Sequence, residues 1–555
     1  MKDRVNDNKY IDERNAQIVI LLLKSHGIKK VVASPGTTNI SFLASVQNDP
    51  FFEVVSAPDE RSAAYIACGM AQASGEAVVL NCTGATSSRN YYPGLTEAFY
   101  SKLPLVVVTS SRRSDRIGHN FDQVTDRLKP AGDIVKCSVN VPVIHDKEDE
   151  WACEVAVNKA ILELYHHDKG PVHINLETIY STNTIYGEMP PTRVIYRYGI
   201  KDKCPEIEAK RVAIMVGAHN RWSQELTSIV DQFCEHYNGI VLCDQISNYH
   251  GRYSIFPNLM SFQEKNDFEY RKVDLLISIG EITSSDYGII TDTVWRVNKD
   301  GALKDTFWHL KKIFEMEEID FFSKYCQSSG LDKNTEFYKK CKAEEQALYK
   351  KFPEIPFSNV WIASITAEKI PADAVLHLGI RNSLRSFNYF YMNDEVTCYA
   401  NTGGFGIDGS LSTAIGISLC EKGKKCFAVL GDLAFFYDIN SLGNRHIGNN
   451  LRILMINNGT GMEMKFTGYL ADLVGVDADS YIAASGHYGS KSRMLVKNYV
   501  EELGFEYISA SNKEQYIAGM QIFLDANDRE KPIVFEAFVS ESDENEAWIM
   551  LHNIL

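Results

Sequence analysis

The sequence lacks the features that mark secreted, membrane or zinc-binding chains. Its 12 cysteines include no CxxC pair and no Cys/His spacing typical of zinc, which indicates reduced thiols. The first residues have no apolar core, and the longest early apolar run, Ile18–Leu23, is far too short to cross a bilayer. We therefore expect no secretory signal, no membrane insertion and a cytoplasmic location.

Positive charge is also in deficit. The chain has 57 Lys and Arg against 72 Asp and Glu, a net charge of −15 and a pI near 5.5. Nucleic acid and anionic membranes repel such a chain, so we expect partners that are small molecules, with no nucleic acid and no membrane. A length of 555 residues is enough for three or four globular domains.

Short apolar runs alternate with segments of helical spacing along most of the chain, which is typical of an α/β fold with doubly wound parallel sheets. Linkers are expected at 183–206 and 351–357, where prolines and polar residues cluster. We predict three such domains, at 1–185, 205–345 and 356–555. The small residues of Ser62–Ser74 indicate a helix packed closely on all sides.

The two ends of the chain resemble each other. Residues 60–110 and 408–457 both run from a small-residue helix to a strand, a glycine turn, a helix and a second strand. This order predicts two similar α/β domains. The central domain has no G-x-G-x-x-G, so we assign it a structural role and no dinucleotide.

The stretch around Gly431-Asp432 organises the rest of the chain. Strands are expected at Phe427–Leu430 and Leu451–Ile456, with a helix at Phe436–His446 between them. A strand, a helix and a strand within about 30 residues form a crossover in a parallel sheet. Asp432 and Asn458 then lie at the carboxyl ends of two strands, the edge at which open α/β sheets bind ligands.

The residues at that edge suit a metal and a diphosphate. Asp432 offers a carboxylate, Asn458 an amide oxygen and Thr460 a backbone carbonyl, which are oxygen ligands for Mg²⁺, Ca²⁺ or Mn²⁺. Mg²⁺ held by so few protein groups usually completes its shell with phosphate oxygens and water. Gly-Asp or Asn-Asn-Gly alone would be read as a turn, but each here follows an apolar strand.

These motifs resemble those of thiamine diphosphate (ThDP)-dependent enzymes. Gly431-Asp432 followed by Asn457-Asn458 is similar to their diphosphate motif, with Leu433 where many members have glycine. ANTGGFGIDGSLSTAIG, from position 400, resembles the MenD branch, the 2-succinyl-5-enolpyruvyl-6-hydroxy-3-cyclohexene-1-carboxylate synthases. The resemblance implies ThDP and Mg²⁺, with a pyrimidine-binding (PYR), a central and a diphosphate-binding (PP) domain. It also implies a homodimer or homotetramer with active sites at the subunit interface.

The resemblance assigns roles to further residues. Glu60, in APDERSAAYIACGMAQASG, matches the glutamate that hydrogen-bonds the aminopyrimidine ring, although alone it would be read as a first-turn carboxylate at a helix N-terminus. Ile407 matches the apolar residue that bends the cofactor. Ser383 and Gln123 match polar residues beside the reacting carbon. His119 is an acid/base candidate in the same loop as Gln123, or a surface histidine.

Substrate recognition departs from the branch. Ser34 begins the match to its SPG turn, and Thr37 follows that turn as a further substrate candidate. Thr37-Thr38 stands where the branch has Ser-Arg, and Phe387 and Thr402 stand where it has two more arginines for carboxylates. Arg381 and Arg385 flank Ser383 and are candidates for one such contact. Lys465 is a candidate for another, in the loop Met462–Arg493, which either closes over the substrate or is a plain surface loop.

We therefore expect a ThDP- and Mg²⁺-dependent enzyme that decarboxylates a 2-oxo acid and transfers the acyl carbanion to an acceptor other than isochorismate. Three alternatives remain open. The first is a true menaquinone-pathway synthase with relocated arginines. The second is a simple 2-oxo acid decarboxylase or an acetohydroxyacid-synthase-like enzyme. The third is a catalytically silent subunit that binds a partner.

Overall fold

A computed structural model describes residues 8–282, 285–327, 333–468, 470–475, 478–527 and 529–555. The chain forms two compact units. One extends to Arg197 and includes Ala302–Ile313, and the other comprises Tyr198–Gly301 and Phe314–Leu555. Within the described ranges, none of the helices combines the length and apolar character needed to span a membrane.

The first unit contains a six-stranded parallel sheet and a two-stranded antiparallel ribbon of β1 and β8. Its strands are β1 (Lys9–Ile11), β2 (Lys30–Ala33), β3 (Glu53–Ser56), β4 (Val78–Thr83), β5 (Leu105–Ser111), β6 (Cys137–Val141), β7 (Val172–Glu177) and β8 (Thr184–Tyr186). Its helices are α1 (Arg14–Ser25), α2 (Ile40–Gln47), α3 (Glu60–Ser74), α4 (Thr86–Asn90), α5 (Tyr92–Tyr100) and α6 (Lys147–Glu163).

Apolar side chains cover both faces of this sheet. Along β4, Val79 packs into the cluster on one face, whereas Val78 and Leu80 pack into the cluster on the other. Side chains alternate between the faces of a strand, and a sheet buried on both faces needs a continuous apolar run. This requirement explains why β4 and β5 were recognisable from their composition.

A seven-stranded sheet follows, with strands β9 (Tyr196–Gly199), β10 (Val212–Val216), β11 (Gly239–Leu242), β12 (Ser254–Ile255), β13 (Leu275–Ile279), β14 (Val294–Val297) and β15 (Leu310–Glu315). The five strands that lie wholly in the second unit are parallel and run in the order β12-β11-β10-β13-β14. The accompanying helices are α7 (Gln224–Tyr237), α8 (Asn258–Ser261), α9 (Glu318–Cys326) and α10 (Glu336–Tyr349).

A third sheet, again six-stranded and parallel, is formed by the C-terminal part of the second unit. Its strands are β16 (Val375–Leu378), β17 (Thr397–Tyr399), β18 (Cys426–Gly431), β19 (Leu451–Asn457), β20 (Glu506–Ala510) and β21 (Ile533–Phe538). Its helices are α11 (Asn359–Thr366), α12 (Asn382–Phe387), α13 (Ser410–Cys420), α14 (Asp432–Tyr437), α15 (Ala471–Val474), α16 (Ala478–Tyr481), α17 (Leu495–Glu502), α18 (Lys513–Phe523) and α19 (Glu541–His552).

The first and third sheets have the same topology. Their strand orders are β3-β2-β4-β5-β7-β6 and β17-β16-β18-β19-β21-β20, so each strand of one has a counterpart in the other. The order reverses between β2 and β4 and between β16 and β18, which are the positions where open α/β sheets bind ligands. The predicted α/β class with three parallel sheets is confirmed.

Two local predictions were wrong. The helix expected at Phe436–His446 is instead the shorter α14, followed by a 3₁₀ turn at Ile439–Gly443. Asp438 interrupts it, because its carboxylate accepts hydrogen bonds from the N–H and hydroxyl of Ser412. Helix α3, expected to be packed on all sides, exposes one face within the chain, including 49% of Tyr65 and 42% of Ile66.

Candidate active site

Asp432 lies at the carboxyl end of β18, beside the parallel strand β19. Its side chain is buried, and no described basic side chain forms an ion pair with it. Burial raises the pKa of Asp432 to about 7, although the N–H groups of Leu433 and Gly459 counteract this. A buried carboxylate without a positive partner fits a bound cation, because desolvation otherwise disfavours its charged form.

Asn458 and Thr460 follow the neighbouring strand. The amide oxygen of Asn458 accepts a hydrogen bond from the Thr460 N–H at 3.3 Å. The Thr460 hydroxyl lies 3.0 Å from the Ala483 carbonyl and 2.7 Å from the Ser485 hydroxyl, which fixes the buried side chain. Asp432 and Asn458 therefore stand at the same edge of the sheet, as expected from their positions after adjacent strands.

Glu544, on the C-terminal helix α19, supports Asn458 and was missed by the sequence analysis. Its buried carboxylate accepts hydrogen bonds from the N–H and the side-chain amide of Asn359, and from the side chain of Asn458. Burial raises the pKa of Glu544 to about 7. No local pattern connects Glu544 with Asn458, since the contact joins segments far apart in the sequence.

The remaining cofactor candidates of this half-site lie on short turns. Gly431 ends β18, Leu433 is in the first turn of α14, and both are half-buried. Ile407 is also half-buried and packs against the apolar cluster that includes Leu411 and Phe435. All three belong to the second unit.

Glu60 begins α3 in the first unit. Asp59 caps this helix by accepting a hydrogen bond from the Ser62 N–H at 2.7 Å. The Glu60 carboxylate, which is half-buried, accepts a hydrogen bond from the side-chain amide of Asn90 at 3.1 Å. The helix therefore presents Glu60 at its N-terminus, with Asn90 as its side-chain partner among the described residues.

The turn that contains Ser34 is held tightly. The Ser34 hydroxyl donates to the Ala57 carbonyl at 2.8 Å, and a Cβ on Gly36 would approach the Thr83 methyl to 2.2 Å. Only glycine allows the turns after β2 and β4 to come this close. Thr37 is exposed, whereas the hydroxyl of Thr38 donates to the Ser110 carbonyl.

Gln123 and His119 are exposed on the loop that follows β5, and Gln123 has a left-handed backbone with φ of 58°. Arg112, directly after β5, donates to the carboxylate of Asp122 at 2.7 Å and to the Tyr180 hydroxyl at 3.0 Å. Arg112 thus anchors the residue beside Gln123. An arginine immediately after a buried strand was the available sequence signal for it.

The candidates around Ser383 have partners within the second unit. Ser383 is buried in the first turn of α12. Arg381 and Arg385 both face the carboxylate of Glu463, with distances of 3.4 and 2.7 Å. The Lys465 ammonium is ion-paired with Asp479 at 2.6 Å and with Glu541 at 2.5 Å. The loop Met462–Arg493 falls partly outside the described residues.

Known proteins that are similar to this chain indicate its family. Residues 14–129 match the family described as "Thiamine pyrophosphate enzyme, N-terminal TPP binding domain". The 2-succinyl-5-enolpyruvyl-6-hydroxy-3-cyclohexene-1-carboxylate synthase of Bacteroides fragilis is 32% identical, covering 96% of this chain and 97% of the relative. The synthase of the same name from Phocaeicola vulgatus is 31% identical, with 96% of each chain covered.

Among solved structures, the Rhodococcus jostii RHA1 thiamine diphosphate-dependent 4-hydroxybenzoylformate decarboxylase matches 95% of this chain and 99% of its own, with 16% identity and a TM-score of 0.40. From the sequence matches, the chain belongs to the family of thiamine diphosphate-dependent enzymes. Within that family, its relatives over nearly the full length are the 2-succinyl-5-enolpyruvyl-6-hydroxy-3-cyclohexene-1-carboxylate synthases.

Proposed function

We propose that the protein uses ThDP and Mg²⁺ to decarboxylate a 2-oxo acid and to transfer the resulting acyl unit to an acceptor. The observation that supports this most directly is the buried, unneutralised carboxylate of Asp432 at the point where the strand order reverses. When bound, ThDP supplies the electron sink that this decarboxylation needs, and the protein supplies binding and orientation.

Different residues of the chain would bind the metal, the diphosphate and the aminopyrimidine ring. Asp432, Asn458 and the Thr460 carbonyl would hold the metal, with Gly431 and Leu433 beside the diphosphate. Ile407 would support the cofactor from its apolar cluster. Glu60 would share a proton with the aminopyrimidine ring, and Asn90 would orient its carboxylate. Gln123 and Ser383 are our candidates for contacts with the reacting groups.

The acceptor is proposed to differ from isochorismate because three guanidinium groups of the branch pattern are replaced. Phe387 is fully buried in the core cluster of the third sheet, and Thr402 is also buried. Thr38, at the third arginine position, is buried as well, and its hydroxyl donates to the Ser110 carbonyl. Two dianionic substrates would lose bidentate contacts that arginines make with carboxylates.

Assembly is proposed to complete the active site. Helix α3 exposes Tyr65 and Ile66, and the adjoining strand β3 exposes 36% of Val54 and 41% of Val55. An apolar surface that begins at Glu60 is suited to burial against a second subunit. We therefore propose a homodimer, or a homotetramer built from such dimers, with Glu60 and Asp432 contributed to each site by different subunits.

A second candidate function is the synthase activity of the relatives themselves. It is favoured by identity of 31–32% over nearly the full length. Turnover of isochorismate with 2-oxoglutarate by the purified protein would establish this activity and exclude our preferred acceptor class. FAD in the purified protein would instead support the acetohydroxyacid-synthase-like alternative.

The decisive test is calorimetric titration of ThDP with Mg²⁺ into the apo-protein, together with CO₂ release from a set of 2-oxo acids. We expect saturable binding that depends on the metal, and CO₂ from at least one acid. Product analysis with and without added aldehyde acceptors then separates transfer from simple decarboxylation. Absence of ThDP binding would contradict the proposal and favour a catalytically silent subunit.

A further inference from the structure

A cluster of three charged side chains, Arg381, Arg385 and Glu463, lies at the ligand-binding edge of the third sheet. Glu463 follows Thr460 on the short turn Met462–Met464, and the two arginines flank α12's first residues. One Glu463 oxygen, Oε1, accepts a hydrogen bond from Arg385 Nη2 at 2.7 Å and lies 3.4 Å from Arg381 Nη1. We refer to these three residues as the Arg–Glu–Arg cluster.

Glu463 is the unusual member of the cluster. Only 11% of its side chain is exposed, and its second oxygen, Oε2, is buried without a hydrogen-bond partner among the described residues. Buried carboxylate oxygens are normally satisfied, because leaving one without a partner costs its full desolvation penalty. An unsatisfied oxygen next to a proposed substrate site is where a ligand group would be expected.

The two arginines differ in their surroundings. Arg385 is mostly buried, and its guanidinium lies 5.3 Å from the Trp548 ring and 5.8 Å from the Phe262 ring. Arg381 is half exposed and lies 5.2 Å from the Phe405 ring, in the segment that also carries Ile407. Arg385 is thus fixed by packing, whereas Arg381 is accessible to a ligand.

The backbone of Arg381 is strained. Its φ of 67° and ψ of −124° belong to a region that glycine favours and that other residues rarely adopt. Such strain persists where the surrounding structure over-determines it, and it concentrates at ligand sites. In this conformation the Arg381 guanidinium lies beside both Glu463 and Phe405 of the glycine-rich segment.

The charge of the cluster decides what it accepts. Two guanidinium groups alone would form a strong site for a carboxylate, since each can bind one through two parallel hydrogen bonds. Glu463 occupies that role from within the chain and leaves a net charge of only +1. A second carboxylate brought to the same place by a substrate would face the negative Oε2 at short range, where burial reduces screening.

We propose that Glu463 is a specificity-determining residue that restricts the donor to 2-oxo acids without a carboxylate on the side chain. This inference rests on the proposed function. Glu463 takes the position that a distal carboxylate would need, and its free oxygen accepts a hydrogen bond from an uncharged donor group instead. The Arg381 guanidinium supplies the single positive charge that remains.

The test compares CO₂ release from pyruvate, 2-oxobutyrate and 2-oxoglutarate by the wild type and by Glu463→Gln, each saturated with ThDP and Mg²⁺. Glutamine keeps the size of the side chain and removes its charge. We expect the wild type to prefer the two monocarboxylates. Glu463→Gln should raise kcat/KM for 2-oxoglutarate relative to 2-oxobutyrate on the order of 10- to 100-fold.

A binding readout makes the test independent of turnover. Glutarate has two carboxylates and no reactive carbonyl, so its Kd can be measured by titration calorimetry. We expect Glu463→Gln to bind glutarate at least about tenfold more tightly than the wild type. The matched control is Glu506→Gln, because Glu506 pairs with Arg529 through two contacts of 2.9 Å outside the cluster; it should change neither quantity.

The outcomes separate the two proposals. A wild type that binds ThDP but uses 2-oxoglutarate best would overturn the inference and leave the proposed function intact. An unchanged donor ratio and glutarate Kd in Glu463→Gln would do the same. A wild type that binds no ThDP would remove both. If Glu463→Gln unfolds, Glu463→Ala carries the same expectation, and the wild-type donor profile tests the inference without any substitution.

Discussion

At the scale of single residues, we expect Asp432 to lower the stability of the apo-protein while it contributes to Mg²⁺ and ThDP binding. Its carboxylate is buried and has no described basic partner, so the apo-protein bears its desolvation cost. We expect Asp432→Asn to stabilise the apo-protein at pH 7 by roughly 1–3 kcal/mol. The same substitution should weaken Mg²⁺-dependent ThDP binding by more than about 100-fold. Urea unfolding and calorimetric titration measure the two effects.

The exposed Asp292→Asn, shortly before β14, is the control for Asp432→Asn. It should leave ThDP affinity unchanged. Equal ThDP affinity in Asp432→Asn and in the wild type would contradict our assignment of the metal ligand. A destabilised apo-variant would contradict the electrostatic argument alone.

We expect the buried His173 to make the first unit less stable at acidic pH. Its ring lies 2.7 Å from the Thr109 hydroxyl and 2.8 Å from the Ser138 hydroxyl, and burial lowers its pKa to about 4. In the unfolded chain this histidine has a pKa near 6.5, whereas in the folded chain it stays neutral down to about pH 4. The unfolded state therefore binds more protons between these values, and the free energy of unfolding decreases as pH falls from about 6.5 to 4. The loss should reach about 3 kcal/mol.

His173→Gln should flatten that pH dependence, because glutamine can hydrogen-bond but does not titrate. Urea unfolding at pH 7 and at pH 5 measures the difference between the variants. The exposed His446→Gln should keep the wild-type slope. A wild-type slope in His173→Gln would mean that other groups govern the acid transition.

The site was predictable only where its signal is local. Asp432 and Asn458 stand directly after apolar strands, so the sequence places them at one edge. Glu544 and Glu463 were missed because their partners are distant in sequence: Glu544 supports Asn458, and Glu463 pairs with Arg385. The residues next to a glutamate in the sequence do not indicate which amide or guanidinium group it will contact in the folded protein.

At the scale of elements, the close approach of two turns is open to test. A Cβ at Gly36 would overlap the Thr83 methyl, which would push the turn after β2 away from the turn after β4. We expect Gly36→Ala to cost about 1–3 kcal/mol in the free energy of unfolding. In Gly423→Ala the added Cβ has no atom of the described residues within 4 Å, and the free energy of unfolding should stay within about 0.5 kcal/mol of the wild type.

Strands were easier to predict than the helices between them. All of β19 is buried, so its apolar run marks its extent to within one residue of the predicted Leu451–Ile456. The helix after β18 was misplaced because Asp438 bonds to Ser412 on α13, a contact outside any local window. The exposed face of α3 was not predicted. Small residues are equally compatible with a helix buried inside its own chain and with a helix buried against a partner.

At the scale of the whole molecule, the proposed shared active site makes a prediction about mixtures. If Glu60 and Asp432 in one site come from different subunits, Glu60→Gln and Asp432→Asn are each inactive alone. Co-refolding or co-expressing the two variants should restore part of the activity, because a heterodimer contains one site with both native residues. CO₂ release by the purified mixture measures this.

Light scattering is needed to confirm that the mixture is oligomeric. A mixture of Glu60→Gln with Glu60→Ala is the control and should stay inactive. Lack of rescue in a verified heterodimer would contradict the shared site, and a monomeric wild type would contradict the assembly. Neither result would depend on knowing the natural acceptor.

The burial of Asp432 also bears on how long each copy of the protein survives in a cell. The buried carboxylate without a basic partner lowers the free energy of unfolding of the empty protein. Binding of ThDP, which derives from a vitamin, raises that free energy in proportion to the logarithm of the ligand concentration. Proteases preferentially remove the less stable, empty form. We expect the abundance of this protein to follow thiamine supply, even when its gene is expressed at a constant rate.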